Sequence, residues 1–156
     1  MGRLVILLSV IVFAACSTNN DEDVGNDLEA AMEKWASSNP QNYTYEFTTI
    51  CFCFFTEQVR VVVEDDSVVA VLDIESNQPK MVTINDEQVP VLEVMPEMFY
   101  SINDFFERLV EWTESADESE LEFNEQNGMP ITISFDHYKE AVDDEITYLF
   151  SALEIN

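Results

Sequence analysis

Apolar residues fall at helical spacing in two stretches of this chain and at alternate positions in several others. Over residues 26–38, Leu28, Met32 and Trp35 lie on one stripe. Asn26 or Asp27 is placed to cap that helix, and Asn39-Pro40 to end it. Over residues 42–54 the period changes to two, so Tyr43, Tyr45, Phe47, Thr49, Cys51 and Cys53 share one face of a predicted strand. Residues 58–64 and 67–74 form the arms of a hairpin turning at Asp65-Asp66. A less ordered connection with Pro79, Pro90 and Pro96 follows. Ser101 begins a second helix, with Asp104 as the acidic partner of a capping box and Phe105, Leu109 and Trp112 as its buried stripe, ending near Ala116. Residues 121–123 and 131–135 read as strands around Gln126-Asn127-Gly128, and residues 145–153 as the last strand. The order α-β-β-β-α-β-β-β predicts an α+β domain, an antiparallel β-sheet with two helices packed on one face. The second face is expected to be partly covered by the proline-bearing connection.

The N-terminus follows a different pattern. Arg3 precedes an apolar run from Leu4 to Ala15, broken only by Ser9, and Ala14-Ala15 lead into Cys16, after which the chain turns abruptly polar and acidic. This is the layout of an export signal, and it is too short to span the bilayer, which takes about 20 helical residues. Phe13-Ala14-Ala15-Cys16 resembles the lipobox of bacterial lipoproteins. That resemblance implies cleavage before Cys16 and acylation of its thiol, with fatty chains such as palmitate holding the protein on a membrane. The expected organisation is a signal peptide over 1–15, a flexible acidic tether over 16–25 and one domain over 26–156. Ser17, where an inner-membrane retention aspartate would stand, points to the outer membrane in a Gram-negative host.

Charge narrows the partners. Six Lys and Arg stand against 32 Asp and Glu, for a formal net charge of −26. Such a field repels phosphate backbones, so nucleic-acid binding is set aside. Basic proteins and small cations remain compatible with it, as does plain adaptation to a salty habitat.

Candidate chemistry is sparse. A closed zinc site needs four soft or imidazole ligands, and outside the leader only Cys51, Cys53 and His137 are available. Thioredoxin-type couples space their cysteines by two residues at a helix N-terminus, whereas one residue separates Cys51 from Cys53 in a predicted strand. Two inert thiols or a disulfide remain. Strand neighbours i and i+2 stand about 6.6 Å apart, so the favoured disulfide requires the strand to bend there. Asp136, Asp143, Asp144 and Glu145 gather around a loop that can serve as a turn, with Asp144 or Glu145 paired to Arg60 or Lys139, or can hold calcium. Tyr43 and Tyr45 can line a groove or sit in the sheet core. No catalytic constellation emerges, and the domain reads as non-enzymatic, with no required cofactor.

An ordered set of features, Trp35, Tyr43-x-Tyr45, Cys51-Phe52-Cys53, the Val59–Val63 arm, Phe105-Phe106, Asn127-Gly128-Met129-Pro130, Asp136 and Val142-Asp143-Asp144-Glu145 with Tyr148, resembles an uncharacterised bacterial "domain of unknown function" family of lipoproteins and secreted proteins. The resemblance implies a shared fold and an envelope location without an attached reaction. It also draws Cys51, Cys53, Asp143, Asp144 and Glu145 together as residues of common importance. The expected function is that of a membrane-anchored envelope lipoprotein whose domain serves protein interaction or structural support. A calcium-binding module and a thiol-disulfide protein are the alternatives.

Overall fold

The computed structural model describes residues 20–138, 140, 141 and 144–156, with side chains from residue 25 onward. In chain order the elements are α1 (Asn20–Ser38), β1 (Tyr43–Ile50), β2 (Val59–Glu64), β3 (Ser67–Asp73), β4 (Met81–Ile84), β5 (Glu87–Pro90) and α2 (Val91–Val94). After a 3-10 turn (Pro96–Met98) come α3 (Ile102–Ser115), β6 (Glu118–Phe123), β7 (Pro130–Asp136) and β8 (Ile146–Ile155). The main sheet is antiparallel throughout and runs β3-β2-β1-β8-β7-β6, while β4 and β5 form a separate hairpin. The α+β architecture expected from the pattern is the one observed.

The core lies on one side of the main sheet. Tyr43, Tyr45 and Phe47 of β1, Val59, Val61 and Val63 of β2, Ile133 and Phe135 of β7 and Phe150 of β8 are buried there. Leu28, Ala31 and Trp35 of α1 and Ile102, Phe105, Phe106 and Leu109 of α3 close over them. Aromatic rings meet edge to face across the layers, as at Trp35–Tyr43 (5.4 Å between centroids) and Phe105–Phe150 (4.7 Å). Such pairs add to what area burial alone contributes. Gly128 lets the β6–β7 turn sit against α1: it adopts φ 78°, and a Cβ there would lie 2.1 Å from the Ala31 carbonyl oxygen.

Three expectations need correction. Helix α1 starts at Asn20, ahead of the capping signal at Asn26-Asp27, so residues 20–25 of the acidic segment are helical. Gly25 costs about 1 kcal/mol relative to alanine inside a helix, which does not stop it. The proline-bearing connection is ordered: Asn85 and Asp86 both take left-handed φ (51° and 68°) in a two-residue hairpin turn, and Pro90 closes β5 and leads into α2. That connection also covers the core side. Val91 and Phe99 are buried, and Phe99 meets Phe47 and Phe55 edge to face. On the opposite face Thr44, Glu46, Thr48, Thr132, Ser134 and Leu149 are only half-buried and Ser151 is exposed.

Candidate functional site: one end of the sheet

Strand β1 runs antiparallel to β8 and β8 to β7, so the C-terminal ends of β1 and β7 and the N-terminal end of β8 share one end of the sheet. Three sequence-predicted segments arrive there: the cysteine pair, His137 and the acidic loop. Ile50 is opposite Thr147, which fixes the approach.

The β1 strand stops at Ile50, and residues 51–54 bend. Cys51 and Cys53 are joined by a disulfide with their Cα atoms 5.2 Å apart, closer than the spacing of about 6.6 Å in an extended strand. The bend interrupts the alternation that the sequence carries as far as Cys53. Phe52 and Phe54 point outward, 89% and 75% exposed, while Phe55 turns into the core and packs on Phe99 at 5.9 Å. Ile50 and Tyr138 at the same end are 58% and 70% exposed. Four of the eight large apolar side chains standing exposed among the described residues therefore lie at this end, which concentrates rather than scatters them.

Cys51, Phe52, His137, Asp144 and Glu145 line one cleft of about 250 Å³. Its other walls are Trp112, Phe135, Ile146 and Tyr148. Trp112 of α3 lies flat on Tyr148 of β8, with centroids 5.4 Å apart and planes 4° apart, and meets Phe135 edge-on at 5.7 Å. His137 stacks on Phe135 at 6.1 Å. Burial pushes the Tyr148 phenol well above its ordinary value, and the nearby Tyr100 phenol adds to this, so it is neutral at physiological pH. A broader groove of about 610 Å³ adjoins the cleft, sharing Phe135 and Glu145 and carrying Asp117, Glu118, Glu120 and Asp136. No lysine or arginine among the described residues lines either space.

Several polar atoms here are shut away from water without a hydrogen-bond partner among the described residues: both carboxylate oxygens of Asp144, Oδ1 of Asp136 and Oγ1 of Thr49. An unpaired buried oxygen typically costs about 1–3 kcal/mol, more when charged. No set of three or more His, Cys, Asp or Glu among the described residues is grouped to hold a metal ion.

The remaining candidates sort as follows. Cys16, Lys139 and Asp143 lie outside the described residues. Arg60 does not reach the acidic loop: it pairs with Glu46 at 3.4 Å and donates to Asn77 at 2.9 Å. Tyr43 and Tyr45 line no groove. They are 0% and 1% exposed, the Tyr43 hydroxyl accepting from the Ile102 N–H at 2.7 Å and the Tyr45 hydroxyl donating to the Tyr100 carbonyl at 2.6 Å. Sequence reasoning did not anticipate Trp112, Phe135 and Tyr148 as cleft walls. Each sits in an apolar stripe, and only the β7–β8 register beside α3 turns three core-type residues into a lined opening.

A family model described as a family of unknown function (DUF6174) matches residues 27–155. No curated protein and no solved structure matches the chain.

Proposed function

The chain belongs to the DUF6174 family, and we propose from its own geometry that it is an envelope lipoprotein whose domain docks on a partner protein through the disulfide-closed end of the sheet. The observation that carries this reading is the outward pair Phe52 and Phe54, 89% and 75% exposed on a covalently closed bend. Burying a phenylalanine is worth about 1.5–3 kcal/mol, so two held in water leave a large driving force for a binding surface. The disulfide limits the chain entropy lost when they engage. With a net charge of −26, the protein suits a basic protein surface better than an anionic lipid one. The apolar leader ending in Ala14-Ala15-Cys16 supports export and lipid anchoring through Cys16. No helix among the described residues is long and apolar enough to cross a membrane.

Site-specific photocrosslinking in the native host tests the docking. A benzophenone amino acid at position 52 should give one discrete protein adduct that a Phe54→Ser background abolishes. The same probe at Val110, 40% exposed on α3, should not give it. No adduct at position 52, or the same adduct from both positions, would sink the reading. Metabolic palmitate labelling that survives Cys16→Ser would remove the anchor.

A second reading has its own support. Asp136 and Asp144 leave carboxylate oxygens unpaired at this end, and although the described residues are not grouped into a ligand set, a calcium ion held together with Glu145 and Asp143 would satisfy those oxygens. Calorimetric titration with calcium decides it: an affinity unchanged in the Asp143→Ala/Asp144→Ala double variant rules that site out.

A further inference from the structure

We infer that the cleft walled by Trp112 and Tyr148 takes an arginine side chain of the partner protein; this deepens the docking reading and rests on it. Two independent features of the cleft call for the same chemistry. One is aromatic. Trp112, Tyr148 and Phe135 border an opening of about 250 Å³, with Trp112 only half-buried and so within reach of a ligand. The negative faces of such rings attract a cation, and a guanidinium plane can stack on them. The other is anionic. Asp144 borders the same opening, and both of its carboxylate oxygens lack a donor among the described residues while withdrawn from water. A carboxylate in that state is stabilised by an incoming fork of N–H donors, which the planar guanidinium supplies in pairs. Reaching it takes a rotation of the Asp144 side chain that no hydrogen bond to a described residue opposes.

The alternatives fit less well. Lysine is more strongly hydrated and cannot stack. Calcium wants six to eight oxygens, whereas the described walls of this cleft are mostly rings and supply carboxylates only from Asp144 and Glu145. The adjoining groove, carrying Asp136, Glu120 and Glu145, adds a negative approach that would steer a basic segment toward the opening.

Tryptophan fluorescence of the purified full chain tests the inference, because Trp112 borders the cleft while Trp35 is 1% exposed at the other end of the sheet. N-acetyl-arginine amide should give a saturable change, the lysine analogue a response at least tenfold weaker, and the neutral citrulline analogue none. Asp144→Asn should weaken the arginine response at least tenfold, and Glu145→Gln, at an exposed position, by a few fold, with circular dichroism unchanged in both. Val110→Ser, at an exposed position that does not line the cleft, should leave it intact. Equal responses to arginine and citrulline, an Asp144→Asn variant that binds normally, or saturation by calcium alone would each overturn the assignment. So would an arginine response that appears only in Lys139→Gln, since the chain's own lysine would then fill the cleft. If the adduct at position 52 forms but arginine amide does not bind, docking stands and the arginine assignment falls. If arginine amide binds and no adduct forms, the docking reading is the one that fails.

Discussion

The two ends of the six-stranded sheet are built on opposite principles. At the end where β1 begins, polar groups are matched. The Trp35 indole donates to the Asn103 side-chain oxygen at 3.0 Å, and the Asn103 amide donates to Asp66 at 2.9 Å, linking α1, α3 and the β2–β3 turn. The Asp65 N–H donates to the Asn42 side chain at 3.0 Å, and Ser101 caps α3 by accepting from the Asp104 N–H at 3.1 Å. One oxygen, Oδ1 of Asp66, stays unpaired there. At the end where β1 stops, four buried oxygens on Thr49, Asp136 and Asp144 lack partners among the described residues, and phenylalanines face solvent. Proteins retain unsatisfied groups and exposed aromatics where binding requires them, and satisfy them elsewhere. Under the docking reading proposed above, the contrast separates an end that holds the fold from an end left for a partner.

That division can be broken by experiment. Trp35→Ala, which empties a site 1% exposed and removes the indole donor, should cost about 3–5 kcal/mol in denaturant-induced unfolding. Asn103→Leu should cost about 1–3 kcal/mol by leaving the Trp35 indole and one Asp66 oxygen unpaired. The sign should reverse at the other end: Asp144→Asn removes an unpaired shielded charge and should raise stability by about 1 kcal/mol. A loss there instead would mean that the carboxylate already has a partner. Phe52→Ser/Phe54→Ser should move stability by no more than about 0.5 kcal/mol while abolishing the crosslink. A loss of several kcal/mol would show those rings to be structural and erase the distinction between the ends.

Local signals were strong where a short segment contains its own reason to fold. Ser101 and Asp104 announce the start of α3, and the hydrogen bond between them is present. Asp65 and Asp66 mark the β2–β3 turn, and both take left-handed φ (47° and 60°) without a glycine. The β4–β5 hairpin gives a weak signal because its strands are only four residues long and none of their side chains is fully buried, too short for alternation to stand out. The period-two face from Tyr43 to Cys53 predicts strand through Cys53, and the bend at residues 51–54 falls inside that prediction. Alternation records which side chains favour a sheet and not where the neighbouring strand ends. Within the candidate site, the sequence singled out Cys51, Cys53, His137, Asp144 and Glu145 one segment at a time. Trp112 and Tyr148 gave no separate signal, since a core aromatic and a cleft wall look alike in a list of residues.

Periodicity, capping residues and charge are carried by neighbours a few positions apart, so the chain alone places its two long helices, most of its strands and its strongly acidic character. Which ends of those elements meet is a different question. Placing β8 between β1 and β7 pairs Ile50 with Thr147 across almost a hundred residues, and no local pattern encodes that choice. It depends on how much apolar surface the whole sheet buries under α1 and α3, a collective quantity that exists only once the layers have packed. That pairing brings the disulfide, the aromatic walls and an unpaired carboxylate to one opening.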